Sequence, residues 1–163
     1  MNTGSRAVRY HLWSVPSPLP GGETIADADH RAVVLIADSP ELTVTWSRYG
    51  AGQRGPELHV HREHTDAFYV LTGELTFEVG PDAAAVSAPA GSYVAVPPNV
   101  VHTFVNASGL DATWLNFHAP DKGFAAYLRA ARDGRAAAWD SFDPPADGGR
   151  SPSDVVVRPP RAW

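Results

Sequence analysis

The sequence predicts an all-β protein, a jelly-roll barrel followed by one amphipathic helix and a proline-rich arm. Between Arg31 and His118, short runs of β-branched, aromatic and aliphatic residues alternate with Gly, Pro, Asn and Asp about every ten residues. The 14 glycines and 15 prolines in 163 residues are too many for a helical bundle. This length fits one hydrophobic core, so we assign residues 1–163 to a single domain with its barrel core at about 31–118.

Eight barrel strands are predicted, a number that suits a jelly roll. They cover residues 31–37, 41–49, 57–61, 66–71, 74–79, 92–96, 102–106 and 112–118, with a ninth candidate at 8–13. Thr72 and Gly73 form a tight connection between two of these strands. We expect a hairpin there, because glycine adopts the positive φ that a two-residue turn requires.

After His118 the apolar period becomes helical. Apolar side chains recur at i, i+3, i+4 and i+7, at Phe124, Tyr127, Leu128 and Ala131. Asp121 is the predicted N-cap and Gly134 can end the helix, so we place it at about 121–133, lying on the barrel.

The remaining residues, 135–163, form the arm. Its many prolines and glycines permit at most a short edge strand, at 154–158. The arm also carries large apolar side chains, among them Trp139 and Phe142. A disordered tail usually holds fewer such side chains, so we expect the arm to dock on the barrel.

Charge and cysteine content narrow the function. The net charge of −5, with basic residues scattered singly, argues against nucleic-acid or anionic-membrane partners and favours a small-molecule ligand. No cysteine is present, so any metal must be held by His, Asp or Glu. No apolar run approaches the roughly 18 residues of a membrane span, and we expect a soluble, cytoplasmic protein.

The segment ELHVHREHTDAFYVLTG, residues 57–73, carries three candidate metal ligands. His59 and His61 are two apart in a predicted strand and therefore project from the same face. Asp66 opens the next strand, and a hairpin would bring its carboxylate back to that face.

A second segment, GSYVAVPPNVVHTFVN at residues 91–106, supplies a fourth candidate. Pro97, Pro98 and Asn99 form a turn, and His102 opens the strand that follows. Asn106 is expected to tie strand ends together through side-chain hydrogen bonds.

These two segments resemble the two motifs of the cupin family. The first motif, HxH, four residues, an acidic residue, six residues and Gly, is met by His59, His61, Asp66 and Gly73. The second is met by Gly91, Pro97, His102 and Asn106, with Asn99 where the family usually has Gly. Asn tolerates the left-handed backbone that this turn needs.

The resemblance, to small quercetinase-like monocupins, implies one divalent metal ion held by His59, His61, Asp66 and His102. The family's acidic ligand is normally Glu, and Asp66 is one methylene shorter. It therefore binds the ion either directly or through water, with Glu63 as the nearby substitute. Ligand type alone admits Fe, Mn, Ni, Cu or Zn.

Strand parity predicts the substrate pocket. Phe68 and Phe104 share parity with Asp66 and His102 and are expected beside the metal. Trp114, Asn116 and His118 face the cavity from the last strand, where His118 is either a hydrogen-bonded core histidine or a contact to substrate or metal ligands. Glu63 and His64, on the intervening loop, are expected to face solvent.

Three imidazoles and a carboxylate leave one or two positions on the ion open. The resemblance implies a dioxygenase-like enzyme acting on a small enolisable or aromatic molecule, with Asp66 leaving the metal to act as base. Two alternatives use the same site: a non-redox cyclase, isomerase or lyase, and a non-catalytic sugar- or small-molecule-binding module. Whether the open metal position faces a closed apolar cavity or bulk solvent would discriminate between an enzyme and a binding module.

Two expectations concern the whole molecule. Exposed strand edges need cover, which predicts a homodimer. Truncation after Gly134 is expected to lower the melting temperature while leaving the four ligand positions untouched.

Overall fold

A computed structural model describes residues 19–161, and the candidate strand at 8–13 lies outside them. Strands β1 to β10 and helix α1 follow one another along the chain as β1 (Glu23–Ala28), β2 (Arg31–Ser39), β3 (Leu42–Tyr49), β4 (Thr65–Thr72), β5 (Glu74–Val79), β6 (Ala84–Pro89), β7 (Tyr93–Val96), β8 (His102–Val105), β9 (Ala112–Ala119), α1 (Phe124–Arg132), a 3₁₀ turn (Pro152–Asp154) and β10 (Val156–Arg158). A seven-stranded sheet has the order β1-β2-β3-β9-β4-β7-β10, and a three-stranded sheet has the order β6-β5-β8. All pairings are antiparallel, and the predicted all-β jelly roll is confirmed.

The core lies between the two sheets. Strand β9 shows how the sequence builds it, because Ala112, Trp114, Asn116 and His118 are buried while the residues between them are more exposed. Phe68 of β4 meets Phe77 of β5 edge to face, with ring centroids 4.8 Å apart. The inward face of the large sheet is therefore apolar at one end and polar at the other, where Asn116 and His118 lie.

Two strands were missed and one predicted strand is absent. β1 and β6 are edge strands rich in Ala, Ser, Asp and Pro, residues with weak strand preference, and they form by pairing with β2 and β5. Residues 57–61 make isolated bridges instead of a strand, His59 with His102 and Val60 with Phe142.

The connection at Thr72 and Gly73 is not a hairpin. Gly73 has the expected positive φ of 71°. However, β4 pairs with β7 and β9, whereas β5 pairs with β6 and β8, so Gly73 carries the chain from one sheet to the other. A Cβ at this position would lie 2.5 Å from the carbonyl oxygen of Asp111, so a side chain has no room there.

The two asparagines of the second motif behave as the sequence indicated. Asn99 has a left-handed φ of 66°. The Asn106 side-chain amide donates to the carbonyl oxygens of Tyr49, Gly50 and Leu110 at 2.9, 3.1 and 2.7 Å. Asn106 thus ties the end of β3 to the loop before β9.

Helix α1 begins three residues later than the predicted N-cap, because Gly123 precedes it with a φ of 92°. Asp121 still satisfies the first turn, since its Oδ1 accepts a hydrogen bond from the Phe124 backbone at 2.9 Å. The arm returns to the barrel, where β10 pairs with β7 and Val155 and Val157 pack on the core. Between residues 19 and 161, no helix has the length and apolarity needed to cross a membrane.

Candidate metal centre

Four buried side chains converge at one end of the barrel. His59 and His61 come from the bridged segment before β4, Asp66 from β4 and His102 from β8. The Nε2 atoms of His59 and His61 are 3.2 Å apart. Asp66 Oδ2 lies 3.4 Å from His102 Nε2 and 3.5 Å from His61 Nε2. Ligands bound at about 2.0–2.2 Å to one ion lie roughly 3 Å from their neighbours, so these separations suit a shared ion.

The tautomer of each imidazole is set by a backbone carbonyl. Nδ1 lies 2.8 Å from the Glu57 oxygen in His59 and 2.9 Å from the Val100 oxygen in His102. In His61, Nδ1 lies 2.5 Å from the Asp140 oxygen. A carbonyl only accepts, so Nδ1 carries the proton in the neutral form of each imidazole, and Nε2 then presents a lone pair.

The protonation states complete a donor set. Burial, helped by His102 and His61, lowers the pKa of His59 to about 3, so this imidazole is neutral near pH 7. Burial opposes ionisation of Asp66, but His118, His102 and His61 outweigh it and hold the pKa of that carboxyl well below its usual value. Imidazole lone pairs and an ionised carboxylate therefore converge in a buried space, an arrangement that a divalent cation satisfies.

Asp66 is oriented by Asn116. Asn116 Nδ2 donates to Asp66 Oδ1 at 2.5 Å and to the Ala67 carbonyl at 3.0 Å, which leaves Oδ2 facing the histidines. This placement favours direct ligation by the shorter carboxylate. Glu63 is not a substitute, because its exposed side chain pairs with Lys122 Nζ at 2.7 Å.

His64 was expected to face solvent, and that expectation is wrong. Its exposed fraction is 1%. Its Nδ1 lies 2.7 Å from Asp140 Oδ2, and its ring stacks on His61 with centroids 4.0 Å apart. The sequence hides this placement because Asp140 is 76 residues away, in the arm.

Asp140 also holds the loop that carries His61. Its carboxylate accepts the backbone N–H groups of Arg62 and Glu63 at 2.9 and 2.8 Å. Two residues on, Phe142 exchanges backbone hydrogen bonds with Val60 at 2.9 and 3.0 Å. The arm therefore contacts a candidate ligand directly, and we revise the expectation that its removal leaves all four positions untouched.

A second trio, His61, His64 and His118, also brings its nitrogens together. His64 Nε2 and His118 Nδ1 are buried and have no hydrogen-bond partner among residues 19–161. The rings of His61 and His64 are stacked at an interplanar angle of 30°, so their lone pairs run side by side rather than converge. The trio suits one ion less well than the group around Asp66.

His118 lies beside the metal group. Its Nε2 is 3.6 Å from Asp66 Oδ1, and its ring stacks on Phe124 of α1 with centroids 3.7 Å apart. Burial lowers the pKa of His118 to about 3, and the neighbouring Asp66 carboxylate opposes that shift.

A cavity of about 240 Å³ opens beside His59 and Asp66. The structure places four of the five predicted pocket residues on its walls: Phe104, Trp114, Asn116 and His118. Phe68 is not among the lining residues, because it is fully buried between Phe77 and Phe104 in the core. Sequence reasoning missed the cover, which comes from Phe124, Tyr127 and Leu128 of α1 and Trp139 of the arm.

Comparison with known proteins agrees with this architecture. The family model described as Cupin domain matches residues 45–118, a range that contains all four candidate ligands. No protein of curated function matches the sequence.

Three solved structures show the same fold at low identity. An uncharacterized conserved protein with a double-stranded β-helix domain from Klebsiella pneumoniae has 20% identity and a TM-score of 0.52, over 58% of this chain and 81% of that one. KdgF from Halomonas sp. has 18% identity and a TM-score of 0.52, over 60% and 86%. An RmlC-like cupin from Shewanella frigidimarina has 24% identity and a TM-score of 0.52, over 61% and 84%.

Proposed function

We propose that this chain, a small cupin-domain protein, holds one divalent metal ion through His59, His61, Asp66 and His102 and is an enzyme acting on a small enolisable or aromatic molecule. One observation carries the proposal. Imidazole Nε2 lone pairs fixed by carbonyl contacts at Nδ1 converge with the ionised Asp66 in a buried space. One divalent cation bound to all four side chains would satisfy these donors together.

The cavity supports an enzyme over a binding module. Two candidate ligands, His59 and Asp66, form part of its wall, so a molecule in the cavity meets the metal position. Six of its other lining residues are Phe, Tyr or Trp, so a bound molecule would meet aromatic surface beside the metal position. One water occupies about 30 Å³ in the liquid, so 240 Å³ corresponds to roughly eight water molecules, a space that favours a single-ring molecule over a flavonol.

Asp66 is the proposed proton acceptor. A divalent ion acidifies a hydroxyl bound to it and, when redox-active, supports reaction with dioxygen. Because the pKa of Asp66 is held low, its carboxylate would accept a proton only from a hydroxyl that a bound ion had acidified. Asn116 keeps the carboxylate oriented toward the cavity while the proton moves.

The proposed reaction is dioxygenase-like. Cleavage of one carbon–carbon double bond supplies the four electrons that reduce dioxygen, and each carbon receives one oxygen atom, so no external reductant is needed. The same donor set and Asp66 also suit a non-redox isomerase or lyase, which consumes no dioxygen.

Two measurements test the proposal. Elemental analysis of protein purified without added metal is expected to give one ion per chain, and His102→Ala protein is expected to give none. Dioxygen uptake is then followed with single-ring enolisable substrates, and product formation is compared in air and under nitrogen. Product formed equally under nitrogen would replace the dioxygenase with the non-redox reaction, and the absence of bound metal would overturn the proposal.

A further inference from the structure

The cavity beside the proposed metal position also has a positively charged side chain on its wall. Arg31, at the start of β2, is one of its lining residues. Its guanidinium carbon lies 4.6 Å from the centroid of the buried Tyr49 ring, which fixes the charge at the wall. Five other arginines pair with carboxylates, Arg54, Arg129, Arg132, Arg135 and Arg150. Within residues 19–161, Arg31 has no such partner.

Sheet register separates Arg31 from the metal position. Thr45 of β3 pairs with Asn116, the residue that orients Asp66. Tyr49, four residues further along β3, pairs with Arg31. An antiparallel strand rises about 3.4 Å per residue, so the Arg31 backbone lies roughly 14 Å along the wall from the metal end. The long arginine side chain shortens this gap and still leaves room for a ring.

The walls between these ends suit a flat molecule. Thr45 and Ser47 place hydroxyl groups along β3, while Phe104, Trp114 and Tyr127 supply aromatic surface. Arg31 lines the cavity and is also exposed to solvent, and the planar fork of its guanidinium can bind both oxygens of a carboxylate.

We propose that Arg31 forms an anion subsite and that the substrate class is a small planar molecule with metal-binding oxygens at one end and a carboxylate at the other. The metal end of this assignment rests on the proposed function. The carboxylate end rests on Arg31, Tyr49 and the register of β2 and β3.

The test uses zinc-loaded protein, which is redox-inert, and matched probes. Catechol and 4-methylcatechol provide the metal-binding oxygens alone. 3,4-Dihydroxybenzoate and 3,4-dihydroxyphenylacetate add a carboxylate at two distances. Wild-type protein is expected to bind at least one acid roughly tenfold or more tightly than its neutral partner, as measured by calorimetry.

Arg31→Gln is expected to lose that preference while binding the neutral probes as wild type does, and Arg31→Lys to keep part of it. Arg48→Gln is the control, because Arg48 lies on the opposite face of β3 and donates to the Ala28 carbonyl at 3.0 Å. An unchanged preference in Arg31→Gln, or an equal loss in Arg48→Gln, would overturn the subsite.

The outcomes also separate the subsite from the proposed function. Equal binding of acids and neutral probes to zinc-loaded protein rejects the anion subsite and leaves the metal site standing. If the protein takes up neither zinc nor any other divalent ion, the proposed function fails, and acid binding to the metal-free wild type and Arg31→Gln then decides the subsite alone.

Discussion

Two pairs of histidines at the candidate metal centre are held in different ways. His59 and His102 are joined directly, since each backbone N–H donates to the other's carbonyl, at 3.1 and 2.9 Å. Each also fixes its Nδ1 on a carbonyl two residues earlier in the chain. We call this pair the barrel half.

His61 and His64 form the arm half, and both depend on Asp140. His61 donates to the Asp140 carbonyl, 79 residues away, and His64 to its carboxylate. Trp139, the residue before Asp140, lies against the His61 ring with centroids 5.0 Å apart. One half is therefore built from contacts local to the barrel and the other from a distant segment, so the arm half can be weakened while the barrel stays intact.

Removing a ligand from the barrel half should give the largest effect. His102→Ala deletes one lone pair and leaves Asp66 with a weaker donor set, so we expect metal retention to be lost in elemental analysis. His64→Ala, in the arm half but outside the four-residue group, is the matched control and should retain the ion. Stoichiometric metal in His102→Ala protein would show that His102 is not a ligand.

Truncation should separate the two halves. A chain that ends after Gly134 loses Asp140 and Trp139, and we expect metal affinity to fall roughly 10- to 100-fold together with the melting temperature. A chain that ends after Pro144 keeps Trp139 to Phe142 but loses β10, Val155 and Val157. We expect it to melt earlier than the full chain while its metal affinity, measured by competition with a chelator, stays near that of the full chain. Equal metal loss in both truncations would show that Asp140 does not support metal binding.

The barrel half was predictable from sequence and most of the arm half was not. Residue spacing within two short segments identified His59, His61, Asp66 and His102 as candidate ligands. This was possible because strand alternation and the turn at Asn99 depend only on neighbouring residues. The route was partly wrong, since residues 57–61 form bridges to β8 and the arm instead of a strand. The motif, more than the predicted hairpin, therefore identified the four side chains that converge in the structure.

His64 and Phe68 show why the rest could not be predicted. The burial of His64 could not be predicted from its neighbours in the sequence REHT. It depends on a contact with Asp140, which is distant in the chain. Phe68 has the inward parity that was predicted, but parity does not say how far along the barrel a side chain lies. Packing against Phe77 and Phe104 places it in the core, while α1 and Trp139 cover the cavity in its stead.

A single substitution tests the arm half without shortening the chain. Asp140→Asn keeps the backbone carbonyl that fixes His61 but cannot accept from Arg62, Glu63 and His64 together. We expect metal affinity to fall by about tenfold, the lower end of what loss of a supporting hydrogen bond costs. Asp154→Asn, which breaks an exposed contact with Arg150, is the control and should leave affinity unchanged. Wild-type metal affinity in Asp140→Asn would mean that the contact between His61 and the backbone carbonyl of residue 140 is enough to support metal binding.

Lowering the pH should give the smallest effect. In the metal-free protein, the pH dependence of the free energy of unfolding compares His59 of the barrel half with His64 of the arm half. The pKa of His59 is about 3 in the folded state, against about 6.5 in an unfolded chain. Between these pH values the unfolded chain binds a proton at His59 that the folded chain does not. The free energy of unfolding is therefore unaffected by His59 above about pH 6.5 and decreases as the pH falls toward 3. The cost is about 1.4 kcal/mol per pH unit.

Burial lowers the pKa of His64 as well, but Asp66 and Asp140 oppose the shift, so His64 should cost less stability on acidification than His59. Urea unfolding of metal-free protein at pH 7.5, 6.5 and 5.5 should therefore show a shallower pH dependence in His59→Gln than in His64→Gln. His30→Gln, at an exposed turn, is the control. A larger change in His64→Gln than in His59→Gln would reverse the comparison and make the arm half the more acid-sensitive of the two.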